Sequence, residues 1–203
     1  MLSTESITFV KTFLMFDAIF KNFALHINLE ATEVERISAA LQVRDVPKHT
    51  LLLEAGATAR NVYYVVSGCL RLFYTDENGD EHNISFSPEN WWAVDITSFS
   101  MQKPAFMSID ALEDTTVCYL SYDAMEQLYQ EVPKLERFFR ILTQNGLYVY
   151  QRRTISNLSE AAESRYKRFR KRYPDLELRI TQKHIASYLG ITPVFLSMLR
   201  KRM

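Results

Sequence analysis

The 203-residue chain is poor in several things that would each announce a class of protein. It has two cysteines, Cys69 and Cys118, too few for a disulfide framework, a four-cysteine zinc site or an iron–sulfur cluster. Five glycines and six prolines exclude collagen-like and low-complexity chains. No run of eighteen apolar residues occurs, so no spanning helix and no membrane partner is expected. The N-terminal apolar stretch is interrupted by Glu5, Lys11 and Asp17 and lacks a small-residue cleavage site, which argues against a signal peptide. A reducing cytoplasm is the expected location. Histidine is scarce too: His49 and His82 stand apart from any set of carboxylate or histidine ligands, so neither a metal site nor haem is expected. No cofactor, no catalytic residue and no enzymatic activity is expected on these grounds.

What is present is globular: 47% of residues are hydrophobic and 24% charged. The formal net charge of zero hides a division. Residues 1–150 carry 11 Lys and Arg against 20 Asp and Glu, a net of −9. Residues 151–203 carry 13 against 4, a net of +9. An acidic body joined to a basic end suggests two modules, the second facing a polyanion such as double-stranded DNA.

Hydrophobic spacing divides the chain further. Phe13, Phe16, Phe20 and Phe23 fall three or four apart, as on one face of a helix. A second helix is predicted over 29–41, with Thr32 as N-cap, Glu35 completing a capping box, and Val34, Ile37 and Leu41 as its apolar stripe. Then come short β-rich runs at 50–54, 61–66, 69–75, 81–86, 107–112 and 116–120, with Asn78-Gly79 as a tight hairpin signal. Six such strands predict an antiparallel sandwich or barrel. Helix resumes at 122–129. Pro133 opens a longer helix in which Leu135, Phe138, Phe139, Leu142, Leu147 and Val149 form an apolar seam of period near 3.5. That seam can be covered by a second copy of the chain or by the β domain itself. The homodimer is preferred, because a two-fold pair of DNA-reading helices matches two half-sites.

The most specific pattern lies at the C-terminus. Thr181 can cap a helix in which Ile185 and Leu189 face inward and Ala186 permits close crossing. Gly190 can end that helix in a left-handed conformation, and Ile191 plugs the turn. Thr192 caps the next helix, Pro193 takes its first position, and Leu196 and Leu199 face inward. This is the layout of a helix-turn-helix whose second helix enters a major groove.

With the run from Gln182 to Pro193 and the segment from Tyr63 to Arg71 on the page, the order of parts resembles the Crp/Fnr regulators, in a short form. The resemblance covers nearly the whole chain. It implies an α+β fold: N-terminal helices and an antiparallel β-roll of the cyclic-nucleotide-binding type (1–130), a long dimerisation and coupling helix (131–157) and a helix-turn-helix domain (158–203). It implies a homodimeric, DNA-binding transcriptional regulator with a small-molecule effector in the roll. The DNA-facing residues would be Lys183, His184, Thr192, Pro193, Val194, Ser197, Met198, Arg200, Lys201 and Arg202.

Two departures qualify that picture. Cyclic-nucleotide binders of the family place an Arg in the phosphate cassette. Here no Arg lies between Arg71 and Arg137, and Lys103 is the cassette's one cation. Lys is a poorer bidentate phosphate partner, so tight cAMP binding is not expected. Asp95 mimics the family's acidic residue, while Trp91, Trp92, Phe99, Phe106 and Met107, beside Ser108, make the region aromatic. That region is either a filled core or a pocket for an uncharged effector. The second departure is in the recognition helix, where Val194 and Met198 replace polar base readers and offer only contact with thymine methyls. They leave open an alternative, a ligand-binding or protein-interaction module that has lost specific DNA recognition.

Overall fold

The computed structural model describes residues 16–202. Phe13 lies outside the described residues. Helix α1 (residues 16–24) presents Ile19 and Phe23 to the core, both fully buried. Helix α2 (Ala31–Ala40) follows, but its cap is not the expected Thr32. Glu30 is the N-cap, and its capping box is made with Glu33, whose carboxylate accepts from the Glu30 amide at 2.8 Å. Lys134 pairs with the same carboxylate at 2.8 Å, and that partner holds Glu33 below the usual carboxylate range. A glutamate reaches back as well as Ser or Thr once a neighbouring lysine anchors its far end.

The β-roll is built from two four-stranded antiparallel sheets. One runs β1 (Gln42–Val46), β8 (Thr115–Ser121), β3 (Asn61–Ser67), β6 (Trp92–Ala93). The other runs β2 (Leu51–Leu53), β7 (Ser108–Ala111), β4 (Leu70–Thr75), β5 (Glu81–Ser87). The six expected strands are all present. Two more, β1 and β6, escaped the sequence reading: β1 is an edge strand exposed over four of its five residues, and β6 is only two residues long. A short helix, α3 (Ile96–Met101), also went unpredicted between β6 and β7.

Two turns fix the roll. At the β3–β4 turn Gly68 has φ +89°, and a Cβ there would lie 2.5 Å from Thr115 Oγ1 and 2.7 Å from the Asp114 carbonyl. Only glycine fits that approach. At the β4–β5 hairpin the Asp76 carboxylate accepts from the amides of Asn78 and Asp80, and of the Asn78-Gly79 pair only Gly79 is left-handed. The two-residue turn implied by Asn-Gly is therefore a five-residue loop ordered by an Asx contact.

Helix α4 (Tyr122–Glu131) is capped by Ser121 and leads into α5 (Lys134–Ser159), with Pro133 one position before its start. The first half of α5 packs on its own subunit. Leu135 and Phe138 are fully buried, and the Phe138 ring meets Phe23 at 4.7 Å and Trp92 at 5.9 Å. Phe139 and Leu142 pack on the same core.

The C-terminal unit is α6 (Ala162–Arg172), α7 (Leu176–Arg179), α8 (Gln182–Leu189) and α9 (Pro193–Arg202). Its core, including Phe169, Tyr173, Leu176, Ile185, Leu189 and Leu196, is continuous with Cys69, Phe86 and Leu112 of the roll. Both cysteines are buried, and burial pushes each thiol up to about 12, so neither is a thiolate at neutral pH.

Candidate nucleic-acid interface and effector cavity

Helices α8 and α9 meet as the helix-turn-helix pattern requires. Gly190 closes α8 at φ +64°, its amide donating to the carbonyls of Ala186 and Ser187. Thr192 Oγ1 accepts from the Phe195 amide at 3.1 Å and caps α9. Ile185, Ala186 and Leu196 are fully buried between the helices. Thr181 is the N-cap residue of α8 but makes no side-chain capping bond.

The predicted DNA-facing residues separate into two groups. Lys183, Thr192, Pro193, Val194, Met198, Lys201 and Arg202 are exposed, and Ser197 is half-exposed. Val194 is 70% exposed and Met198 45%; Phe195, not predicted, joins them at 39%. His184 and Arg200 do not belong to that surface. Arg200 Nε donates to Tyr166 Oη at 3.1 Å, and its Nη2 lies 3.4 Å from Glu177 Oε2.

His184 faces the roll. Its Nδ1 lies 3.2 Å from Arg71 Nη1, and its carbonyl accepts from Asn83 Nδ2 at 2.9 Å. One turn on, Ser187 Oγ donates to the Glu81 carbonyl and accepts from the Asn83 amide. Arg71 is the hub. It is 5% exposed, forks onto Asp110 at 2.7 and 2.9 Å, reaches Glu81 at 2.7 Å, and stacks over Phe73. Burial and the adjacent Arg71 charge hold His184 below the ordinary histidine value, so it docks as the neutral ring. Arg179 on α7 adds a second strap, bridging Glu89 at 2.7 Å and Glu113. Glu89 Oε1 in turn accepts from the Gly68 amide. Arg71 lay in plain view within the roll segment, but its partner residues are 10 to 113 positions away. No local signal marks such a hub.

The effector residues also separate. A cavity of about 760 Å³ opens between the roll, α3, α4 and α5, lined by apolar groups including Leu72, Trp92, Phe99, Met125, Phe139 and Leu147. Trp92 and Phe99 are the residues of the expected aromatic region that line it. Asp95 is fully buried as the N-cap of α3, accepting from Ser98. Phe106 is 62% exposed, and Met107 packs on the core. Ser108 Oγ accepts from the Ala55 amide. Trp91 stacks on Tyr173 instead, 5.5 Å between ring centres.

The seam residues require the same correction. Leu135, Phe138, Phe139 and Leu142 are committed to the subunit's own core, and Val149 is half-buried beside a second cleft. The exposed apolar side chains of α5 are Leu147, Tyr148, Tyr150, Ile155 and Leu158, and Leu147, Tyr148, Ile155 and Leu158 stand together on one side. At 3.6 residues per turn these four share roughly a 100° arc.

The family model described as cyclic nucleotide-binding domain matches residues 43–132, the roll and α4. The "Anaerobic regulatory protein" of Pasteurella multocida is 25% identical over 200 residues, covering 92% of this chain and 72% of its own length. The "Fumarate and nitrate reduction regulatory protein" of Vibrio cholerae is 25% identical over 202 residues, covering 92% and 78%. The structure of a Crp/Fnr-family regulator from Eubacterium rectale superposes with a TM-score of 0.67 at 17% identity, over 86% of this chain and 83% of that one. Over most of its length the chain is similar to regulators of the Crp/Fnr family. FixK2 from Bradyrhizobium japonicum shares the same fold, with a TM-score of 0.71 at 17% identity over 80% and 83% of the two chains. The Crp/Fnr architecture thus accounts for the roll, the long helix and the terminal helix pair together. Among the described residues no helix is long and apolar enough to cross a membrane.

Proposed function

We propose that this protein is a cytoplasmic, homodimeric transcriptional regulator of Crp/Fnr type that binds double-stranded DNA through α9. The observation that carries the reading is the intact α8–α9 pair with the outer side of α9 uncovered and Lys183, Lys201 and Arg202 around it. Two copies pair through the uncovered face of α5 carrying Leu147, Ile155 and Leu158. Such a pairing is expected to bring the two α9 helices to one side of the assembly.

A mobility shift against DNA from upstream of the protein's own gene, with scrambled competitor, tests the reading. Specific retention is expected; equal competition by scrambled DNA instead favours the interaction-module alternative that exposed Val194, Phe195 and Met198 suggest. With about three phosphates neutralised per subunit by Lys183, Lys201 and Arg202, about six per dimer, the log–log salt slope should be near −5, not the steeper value that His184 and Arg200 would add.

The roll cavity selects an uncharged, apolar effector. Its lining holds Arg140, Glu126 and Glu136 at the α4–α5 rim, and Lys103 is not part of it. A buried cyclic phosphate there would lack a fixed cation in the cassette, a costly arrangement. Calorimetry is expected to show no micromolar cAMP affinity in the roll; such affinity would refute the point.

A further inference from the structure

A second cleft, of about 410 Å³, lies where α1, β5, the β5–β6 turn, α5 and the C-terminal unit converge. Its size falls in the range of small-molecule sites. It differs from the roll cavity in chemistry. Arg153 and Arg172 line it, and among the described residues no aspartate or glutamate does. Arg153 is deeply placed: Nη2 donates to the carbonyls of Asn83 and Tyr188, each at 2.9 Å, and Nη1 to that of Ile84. Its plane lies 4.1 Å from the Tyr188 ring centre. Arg172 lies 4.6 Å from the Trp91 ring centre. Among the described residues neither guanidinium has a carboxylate partner, and the Nε of each is buried without a hydrogen-bond acceptor. Burial keeps the Arg153 pKa below the ordinary guanidinium value, as befits a cation with no counter-charge beside it.

Both arginine side chains are half-buried, and charges partly withdrawn from water are ordinarily paired. Two cations facing one cleft with no carboxylate partner among the described residues therefore leave a place for an anion. Stacking on a ring occupies only the face of a guanidinium and leaves the in-plane N–H donors of Arg172 for an oxyanion, whereas Arg153 has already given three of its five N–H groups to carbonyls and contributes mainly its charge. The remaining walls are flat: Trp91, Trp92, Tyr173 and Tyr188 present rings, while Asn22 and Asn145 supply neutral polar groups.

We propose that this cleft binds a small ligand made of a planar ring carrying an anionic group, with the anion on Arg172 and Arg153 and the ring against the indoles. Two sources share that chemistry, a nucleoside monophosphate and an aromatic carboxylate. The arginines come from α5 and α6 and the indoles from the roll, so occupancy ties the DNA-binding unit to the sensor.

The chain's two tryptophans both line the cleft, which makes their fluorescence the direct readout. Full-length protein is titrated with AMP and, separately, with salicylate, against adenosine and phenol as their neutral counterparts. The expected result is saturable quenching by at least one anion, about ten- to hundredfold tighter than its neutral counterpart. Arg172→Gln is expected to lose about tenfold or more, while Arg172→Lys, which keeps the charge but not the planar fork or the stack on Trp91, recovers only part of the binding. AMP alone assigns a nucleotide, and salicylate alone an aryl acid. No saturable quenching by either anion, equal affinity of the neutral analogues, or undiminished binding in Arg172→Gln would overturn the proposal. A signal that survives in Arg172→Gln belongs to the roll cavity, which Trp92 also lines. Mobility shifts on the same variants report DNA binding independently, so failure here leaves the regulator reading standing.

Discussion

The side of the C-terminal unit that faces the roll and the side that faces outward invert what residue type alone would suggest. Inside sit His184, Ser187 and the charged hub Arg71–Asp110–Glu81. Outside stand Val194, Phe195 and Met198, with Leu147 and Leu158 on the neighbouring helix. The polar group is tolerated indoors because its members satisfy one another: Arg71 alone donates to Asp110, Glu81 and Asn83. Among the described residues nothing covers the apolar group outdoors. The lesson is that burial here follows available partners more closely than hydrophobicity, and that uncovered apolar residues mark the surfaces that meet other molecules.

The comparison breaks most visibly at Arg71. Replacing it with Ala strands the buried Asp110 carboxylate and is expected to cost about 3–5 kcal/mol of stability, read by denaturant titration. Loss within the range of an ordinary surface substitution would show that the hub is not a buried pair at all. On the outward side, Leu147→Asp is expected to weaken self-association by about 2 kcal/mol in sedimentation experiments, with little effect on the fold of the subunit. Unchanged association would remove the C-terminal half of α5 from the dimer contact.

The smallest effect is the pH response of the docked His184. The groups facing it are Arg71 from β4, Glu81 and Asn83 from β5, Asp110 from β7 and, on its own helix, Lys183. Its folded pKa is lowered, so the unfolded chain takes up the proton first as the medium acidifies. Its contribution to docking is therefore complete above the ordinary histidine value of 6.5 and declines as pH falls from there toward the lowered value. Thermal melts of wild type and His184→Gln compared across that window are expected to converge on acidification. Parallel curves would mean that the histidine titrates as a free ring.

Much of the molecule was legible before any coordinates. The C-terminal helix pair was readable because its signals are local: a left-handed Gly190, a capping Thr192, a proline at the first position and inward residues at helical spacing. The central strands were readable from alternation and turns. Edge strand β1 and short α3 were not, since neither has a sustained period. The site fared less evenly. Lys183, Lys201 and Arg202 are exposed as expected. His184 is not, because a helix has several faces and the sequence does not say which one a distant sheet will cover. The aromatic residues after β5 stood out in the sequence, yet Trp91 and Trp92 point to different neighbours, Tyr173 and Phe138.

By itself the sequence determined the order of modules, the helix-turn-helix, the acidic and basic division and the missing arginine in the phosphate cassette, because each depends on residues close together along the chain. Tertiary structure alone decided which face of α8 docks, that α5 spends its first half on its own core, and that two arginines share a cleft without a counter-charge. Those outcomes depend on contacts between residues tens of positions apart, where packing and desolvation choose among faces that local spacing leaves equivalent.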